Sequence, residues 1–321
     1  MRAVIAEQAG PPEVLHEIET VDPIPADGEV VIAVDIAATT FVETQMRAGR
    51  SPGPPMTFPA VLGNGVGGTV CAVGSDVETA WIGVTVVTTT GGRGGYATLA
   101  VAAARDLHRL PEGVDLETAV ALLADGRTAL GLATAARIKP GDMVAVTAAA
   151  GGVGTLLVQL AVAGDARVIA LVGSDAKRDL PVQLGAEAAL NYSEPRWLRR
   201  LNAAAPTGFN VAFDGVGGEV SAALTSRLNR GGRYLPHGAA GGPFGKVDEA
   251  FAEERRVTTI SLSQIAGGPA QQFQLVEEAL RLAARGKLRP IIGQTFPLSR
   301  AADAHAAMEA RQTTGKTLLR V

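Results

Sequence analysis

The sequence holds one cysteine, Cys71, among 321 residues. That excludes an internal disulfide and any cysteine-rich structural zinc site. Aromatic residues make up only 4% of the chain, so a stacked aromatic clamp on a flat ligand is not expected. Charge is sparse as well, at 19% of residues with a net charge of -3 and no clustered Lys/Arg run. The basic footprint of a nucleic-acid partner is therefore missing. Long uncharged apolar runs are absent too: the stretch from Ala119 to Ile138 is broken by Asp125, Arg127 and Arg137, short of the roughly 18 apolar residues of a membrane span. The N-terminal Met1-Arg2-Ala3-Val4-Ile5-Ala6 runs directly into Glu7 and Gly10, which reads as a first strand rather than a signal peptide. The expectation is a soluble, cytoplasmic protein with no membrane or nucleic-acid partner.

Hydrophobic residues supply 47% of the chain, enough for two domains with sizeable cores. Residues 1 to about 122 read as β-rich. Gly28 to Asp35 alternates in part, Gly65 to Val73 is a Gly/Val run suited to a bent strand, and Ser51-Pro52-Gly53-Pro54-Pro55 is a loop signature. From about residue 123, strands alternate with helices. Met143 to Thr147, Arg167 to Val172, Ala188 to Tyr192, Val211 to Asp214 and Arg233 to Leu235 read as buried strands, with helices over Thr155 to Ala163 and Ala176 to Leu184. Such alternation implies a doubly wound parallel sheet, and hence an α/β protein. The segment from Pro290 to Val321 reads strand, helix, strand, and periodicity alone lets it close either domain.

Between the strand at Met143–Thr147 and the following helix lies Ala148-Ala149-Ala150-Gly151-Gly152-Val153-Gly154. Glycines there permit a tight turn and close backbone approach to a pyrophosphate, and the helix N-terminus offers unpaired N–H groups and partial positive charge. Ala149 stands where the first glycine of this fingerprint usually falls. The next strand ends Leu171-Val172-Gly173-Ser174, with small residues where an NAD site usually carries a carboxylate for the ribose hydroxyl. Lys177 and Arg178 follow within a turn and suit a 2′-phosphate, although the same pair is compatible with a solvated helix face, and Asp175 counts against a phosphate. NADPH is the expected cofactor.

Taken together, Thr40-Phe41-Val42-Glu43-Thr44, Arg47-Ala48-Gly49, the Ala148–Gly154 turn with Leu157-Val158-Gln159-Leu160-Ala161, and Gly315-Lys316-Thr317-Leu318-Leu319 resemble the zinc-free quinone oxidoreductases of the medium-chain dehydrogenase/reductase superfamily. The resemblance runs over essentially the whole chain. It implies a GroES-like catalytic domain from residues 1–122 and 287–321, with a Rossmann domain from 123–286 inserted between. It further implies a homodimer, with Thr258 to Leu262 as a candidate edge strand. By position in the family pattern, Thr128 is expected near the nicotinamide, Lys177 and Tyr192 at the 2′-phosphate, and Gly215 and Val216 on the adenosine side. His237 and Gly238 belong to the nicotinamide loop, and Arg311 stands at a cofactor-proximal position. Ala150, Gly151, Gly152, Val153, Gly154, Gly173 and Ser174 complete the expected cofactor site.

Zinc-dependent relatives carry an early cysteine and a Gly-His-Glu motif; here Thr39-Thr40 and Gly63-Asn64-Gly65 occupy those places. Cys71, on a Gly/Val strand, is expected in the core. His16, His108, His237 and His305 show no metal-ligand spacing, so no metal is expected. Without a Lewis acid, acceptors that delocalise the incoming charge themselves suit the chain best, namely quinones and α,β-unsaturated carbonyls. Thr40, Gln45, Ser51 and Asn64 are expected in the substrate pocket, where the family often has Asn at the first of these and tyrosines at the next two. Thr40, Gln45, Asn64 and Thr128 are candidate donors to a developing oxyanion, although each taken alone reads first as a structural polar group. The expected function is NADPH-dependent quinone reduction. An enone or enoyl reductase, and a cofactor-binding protein without turnover, are the alternatives.

Overall fold

The computed structural model describes residues 1–50, 55–265 and 267–321, so Ser51 lies outside the described residues. The chain divides into two compact units, one of Met1–Ala124 with Val276–Val321 and one of Asp125–Leu275.

The first unit is β-rich. In chain order it holds β1 (Arg2–Ala6), β2 (Leu15–Glu19), β3 (Glu29–Thr39), α1 (Phe41–Arg47), β4 (Ala60–Val61), β5 (Gly65–Val73), β6 (Thr85–Thr89), β7 (Leu99–Ala103) and β8 (His108–Arg109). A three-stranded sheet runs β2-β1-β4, and β3 pairs with β5 and β7 in a larger antiparallel array. Two register shifts, at Val31/Ile32 and Val34/Ile36, bend β3 so that one strand serves several neighbours. Gly68 makes the β3–β5 contact possible: a Cβ there would sit 1.9 Å from the Ala33 carbonyl oxygen. Val30, Ile32, Val34, Leu62, Val66, Val86 and Tyr96 build the core. Cys71 departs from expectation. Pleating buries Val70 and turns Cys71 to the opposite face, where it is exposed and its thiol meets the Val31 carbonyl at 3.5 Å.

Next comes α2 (Leu116–Ala136). Despite Asp125 and Arg127 it has the length and hydropathy of a membrane-spanning helix, and 67% of its most apolar window is buried inside the protein.

The second unit contains β9 (Met143–Thr147), α3 (Gly152–Ala163), β10 (Arg167–Val172), α4 (Asp179–Gln183), β11 (Ala188–Asn191), α5 (Trp197–Ala204), β12 (Phe209–Asp214), α6 (Gly218–Thr225), β13 (Leu228–Pro236), α7 (Glu249–Arg255), β14 (Thr258–Thr259) and α8 (Leu262–Ile265). Its six strands are all parallel, in the order β11-β10-β9-β12-β13-β14. This is the strand order of dinucleotide-binding sheets, with a topological switch between β9 and β12. Every residue of β9 is buried, as a central strand covered on both faces requires.

Two expectations need correction here. The helix read over Ala176–Leu184 is broken: a 3-10 turn covers Asp175–Lys177 and α4 starts at Asp179. Pro181 has no N–H to give the Lys177 carbonyl, and its ring disfavours an α-turn running back through that residue. The edge strand expected over Thr258–Leu262 shortens to Thr258–Thr259, because a helix begins at Leu262.

After α9 (Pro269–Ala284) come β15 (Ile292–Pro297), α10 (Ala301–Glu309) and β16 (Lys316–Arg320). β16 pairs with β3, so this last segment closes the first unit's seven-stranded sheet.

Candidate functional site

In the second unit, the carboxyl ends of β9 and β12 form the switch point. Ala148 takes a left-handed conformation (φ 47°), and the Gly151 amide donates back to its carbonyl at 2.8 Å. Helix α3 then starts at Gly152. The amides of Gly152, Val153 and Gly154 precede any intrahelical acceptor and stand at the positive end of the helix dipole. Gly154 is required by packing: a Cβ there would lie 2.2 Å from the Ala148 oxygen and 2.8 Å from the Ala149 Cα. Gly151 is freer, its nearest neighbour being the Ala148 oxygen at 3.2 Å.

Beneath this turn lies a carboxylate outside the set of residues expected at the site. Asp214, fully buried at the end of β12, accepts from the Thr147 hydroxyl at 2.9 Å, the Val216 and Gly217 amides at 3.0 and 3.2 Å, and the Tyr234 hydroxyl at 2.7 Å. Its carbonyl accepts from the His237 and Gly238 amides at 2.7 and 3.2 Å. One residue thus ties Gly215–Val216 and His237–Gly238 together. The His237 ring overlies Gly215, whose added Cβ would meet Nε2 at 2.9 Å. Burial pulls the His237 pKa below its ordinary value, favouring the neutral imidazole.

At the end of β10, Gly173 leaves room for Tyr192, whose hydroxyl would be 2.9 Å from an added Cβ. Lys177 ends the 3-10 turn beside Ser174. Arg178 is drawn elsewhere, donating to the Ala189 carbonyl at 2.9 Å and facing Asp175 at 3.6 Å. Thr128 is half-buried within α2.

The first unit carries Thr40, Gln45, Asn64 and Arg311. Thr40 caps α1 in a reciprocal capping box with Glu43, whose carboxylate accepts from the Thr40 amide at 2.6 Å. The other Glu43 oxygen accepts from the Asn64 amide at 2.9 Å. Two candidate donors far apart in sequence are thereby joined through one buried carboxylate. The Asn64 side-chain oxygen accepts from the Gly92 amide at 2.7 Å, which fixes its orientation and leaves its NH2 to donate. Gln45 is engaged locally, donating to the Thr44 hydroxyl at 3.2 Å and accepting from Arg50 at 3.2 Å. Arg311 follows α10 in a left-handed conformation and is exposed.

Behind Glu43 stands a buried polar cluster. The Tyr96 hydroxyl lies 3.2 Å from Glu43 Oε2, 3.1 Å from the Thr39 hydroxyl and 3.0 Å from His305 Nε2. Glu43 and Arg47 share a face of α1 at i, i+4, and His305 and Glu309 share one of α10, so the helices meet through one direct pair, Arg47 with Glu309, and through Tyr96, which bridges Glu43 and His305. Arg47 is ion-paired with Glu309. Burial pushes the Glu43 carboxyl up, opposed by the Thr40 amide and the charge of Lys316. Burial and the Arg47 charge hold the His305 imidazole down at about 3. Burial and the Glu43 charge push the Tyr96 phenol well above its usual range.

A zinc site is not assembled among the described residues, where no three His, Cys, Asp or Glu side chains converge. His108 Nδ1 pairs with Glu277 at 2.5 Å, His305 lies against Tyr96, and the exposed Cys71 turns its thiol to the Val31 carbonyl. The residues present do not fit that metal.

Sequence comparison bears on both units. Residues 26–112 match the alcohol dehydrogenase GroES-like domain, and residues 184–319 match a family described as zinc-binding dehydrogenase. The quinone oxidoreductase of Pseudomonas aeruginosa is 33% identical over 97% of this chain and 96% of its own. The Escherichia coli quinone oxidoreductase, solved in complex with NADPH, superposes with a TM-score of 0.91 at 27% identity over 100% of both chains. A solved NAD-dependent alcohol dehydrogenase, 29% identical over 100% of both chains, gives 0.89, so the fold alone does not fix the chemistry. Whole-length similarity at this identity, on a GroES-like unit and a parallel dinucleotide-binding sheet, settles the lineage: the chain belongs to the quinone oxidoreductase family of the medium-chain dehydrogenase/reductase superfamily.

Proposed function

We propose that the chain is a zinc-independent, NADPH-dependent reductase of quinones. The observation that carries the cofactor choice is the end of β10, where Gly173 and Ser174 offer no carboxylate to repel a 2′-phosphate and Lys177 follows at once. When bound, NADPH supplies a hydride from its nicotinamide to the acceptor. The amides of Gly152, Val153 and Gly154 hold the pyrophosphate, with Ala150 and Gly151 lining the turn beside it. Lys177 and Tyr192 hold the 2′-phosphate, Gly215 and Val216 the adenosine side, and Thr128, His237 and Gly238 the nicotinamide side, with Arg311 as a further cofactor contact. Thr40 and Asn64 bind the acceptor and donate to the oxygen that gains charge, while solvent delivers the proton. With no zinc donor set among the described residues, the chain suits acceptors that spread the added charge over their own conjugated system.

The scarcity of aromatic side chains supports a second reading, an enone or enoyl reductase, because a less aromatic pocket has little to stack on a quinone ring. NADPH oxidation measured over benzoquinones, naphthoquinones, enones and enoyl thioesters separates the two. Turnover of the last two classes alone rejects quinone reduction, and tight NADPH binding with no turnover rejects both. A cytoplasmic homodimer is the expected working form, with the exposed edge strand Thr258–Thr259 pairing across the interface; light scattering that gives a monomeric mass overturns that assembly.

A further inference from the structure

We infer that Glu43 is the positioning residue of the acceptor side, acting through Thr40 and Asn64; this rests on the assignment of those two residues to acceptor binding. Glu43 is almost wholly buried, yet both of its oxygens face backbone N–H donors: Oε2 meets the Thr40 amide at 2.6 Å and Oε1 the Asn64 amide at 2.9 Å. The carboxylate therefore locks the start of α1 to the loop ahead of β5. Asn64 is held further by its own carbonyl, which accepts from the Thr90 amide at 2.8 Å. The arrangement demands a double acceptor. A carboxylate supplies one, and so does a neutral carboxylic acid, which can pass its proton towards Tyr96 and still accept both amides. A glutamine cannot, because its NH2 would oppose one N–H whichever way the amide is turned. The usual conservative exchange is thus a disruptive one here.

The rear of the site fits the same role. Tyr96 presses its hydroxyl on Oε2 and is itself backed by Thr39 and His305. Glu43 does not face the acceptor in this scheme; it sets the angle from which the Thr40 hydroxyl and Asn64 NH2 reach it.

The test compares wild type, E43Q, Y96F and T40A/N64A, alone and combined with E43Q, using a benzoquinone as acceptor and NADPH binding by fluorescence. E43Q is expected to lower kcat about tenfold or more while the NADPH dissociation constant stays within about twofold. Added to T40A/N64A, the same substitution is expected to change kcat by less than about twofold, since residues acting through one another are not additive. Wild-type kcat in E43Q overturns the inference, as does an equal loss in both backgrounds. Should E43Q fail to fold, Y96F carries the test: a roughly threefold loss of kcat at unchanged NADPH affinity is expected, and no loss overturns it. A wild-type chain that binds NADPH but reduces neither quinones nor enones overturns the functional assignment itself, a result distinct from any of these.

Discussion

The Tyr234 hydroxyl donates to Asp214 Oδ2 at 2.7 Å, the one hydrogen bond on a side of the carboxylate opposite three donors on Oδ1. Burial, and then the Asp214 charge, push the Tyr234 phenol up, so it stays a donor. Y234F leaves a buried carboxylate oxygen without this partner and is expected to cost about 1–3 kcal/mol. D214N is expected to cost less. Its oxygen keeps the Oδ1 partners, its NH2 donates to the Tyr234 oxygen, and the phenolic proton moves to Ser221 Oγ, 2.5 Å away. Urea unfolding of the two variants checks the order; D214N proving the weaker protein would contradict this arrangement.

Lys177 gives the sharpest test of cofactor choice. K177A is expected to raise the KM for NADPH roughly tenfold, the scale of one charge-assisted hydrogen bond, and to leave NADH almost unaffected. Equal changes for both nucleotides would remove the 2′-phosphate assignment.

The glycine turn predicts unequal tolerance at neighbouring positions. G154A drives a methyl group to 2.2 Å from a backbone oxygen, whereas G151A meets its nearest atom at 3.2 Å. Overpacking of the first kind is expected to cost about 1–3 kcal/mol or more, with loss of NADPH binding. G151A is expected to fold normally. Thermal melts with and without NADPH distinguish them.

His305 makes stability depend on pH. Its folded pKa is held down at about 3, against an ordinary value of 6.5. Below pH 6.5 the unfolded chain takes up a proton that the native protein does not. The contribution is therefore complete above about pH 6.5 and is lost, at up to about 1.4 kcal/mol per pH unit, as pH falls towards 3. Glu43, pushed up by burial, runs the other way, its contribution declining as pH rises above 4.5. H305N retains Glu43 but cannot titrate at this position, so wild type is expected to lose stability relative to H305N between pH 7 and 5. A constant difference over that range would show that the imidazole is not kept neutral.

Periodicity exposed much of the second unit. Met143–Thr147 and Arg167–Val172 are strands over the residues expected, because buried parallel strands are uniformly apolar and short. The break at Arg178 is traceable to Pro181, a signal that apolar spacing overrides when read alone. Cys71 is exposed rather than in the core, and a Gly/Val strand with two partly buried faces offers too weak an alternation to signal it. In the candidate site, the turn was legible and its supports were not. Thr40-x-x-Glu43 has the spacing of a capping box and could have marked Glu43. The contacts of Tyr96 with His305 and of Arg47 with Glu309 join residues 209 and 262 positions apart, beyond the reach of any local pattern.

The pairing of β16 with β3 also governs the order in which the molecule can mature. During synthesis β3 leaves the ribosome early, but its partner is not made until all six parallel strands have emerged. The nucleotide-binding sheet can finish folding first, while the older N-terminal segment waits with the Ile36–Thr39 end of β3 unpaired on the side that β7 does not reach and exposed to aggregation. Nascent chains arrested just before Lys316 are therefore expected to protect the later-made unit from protease before the earlier-made one.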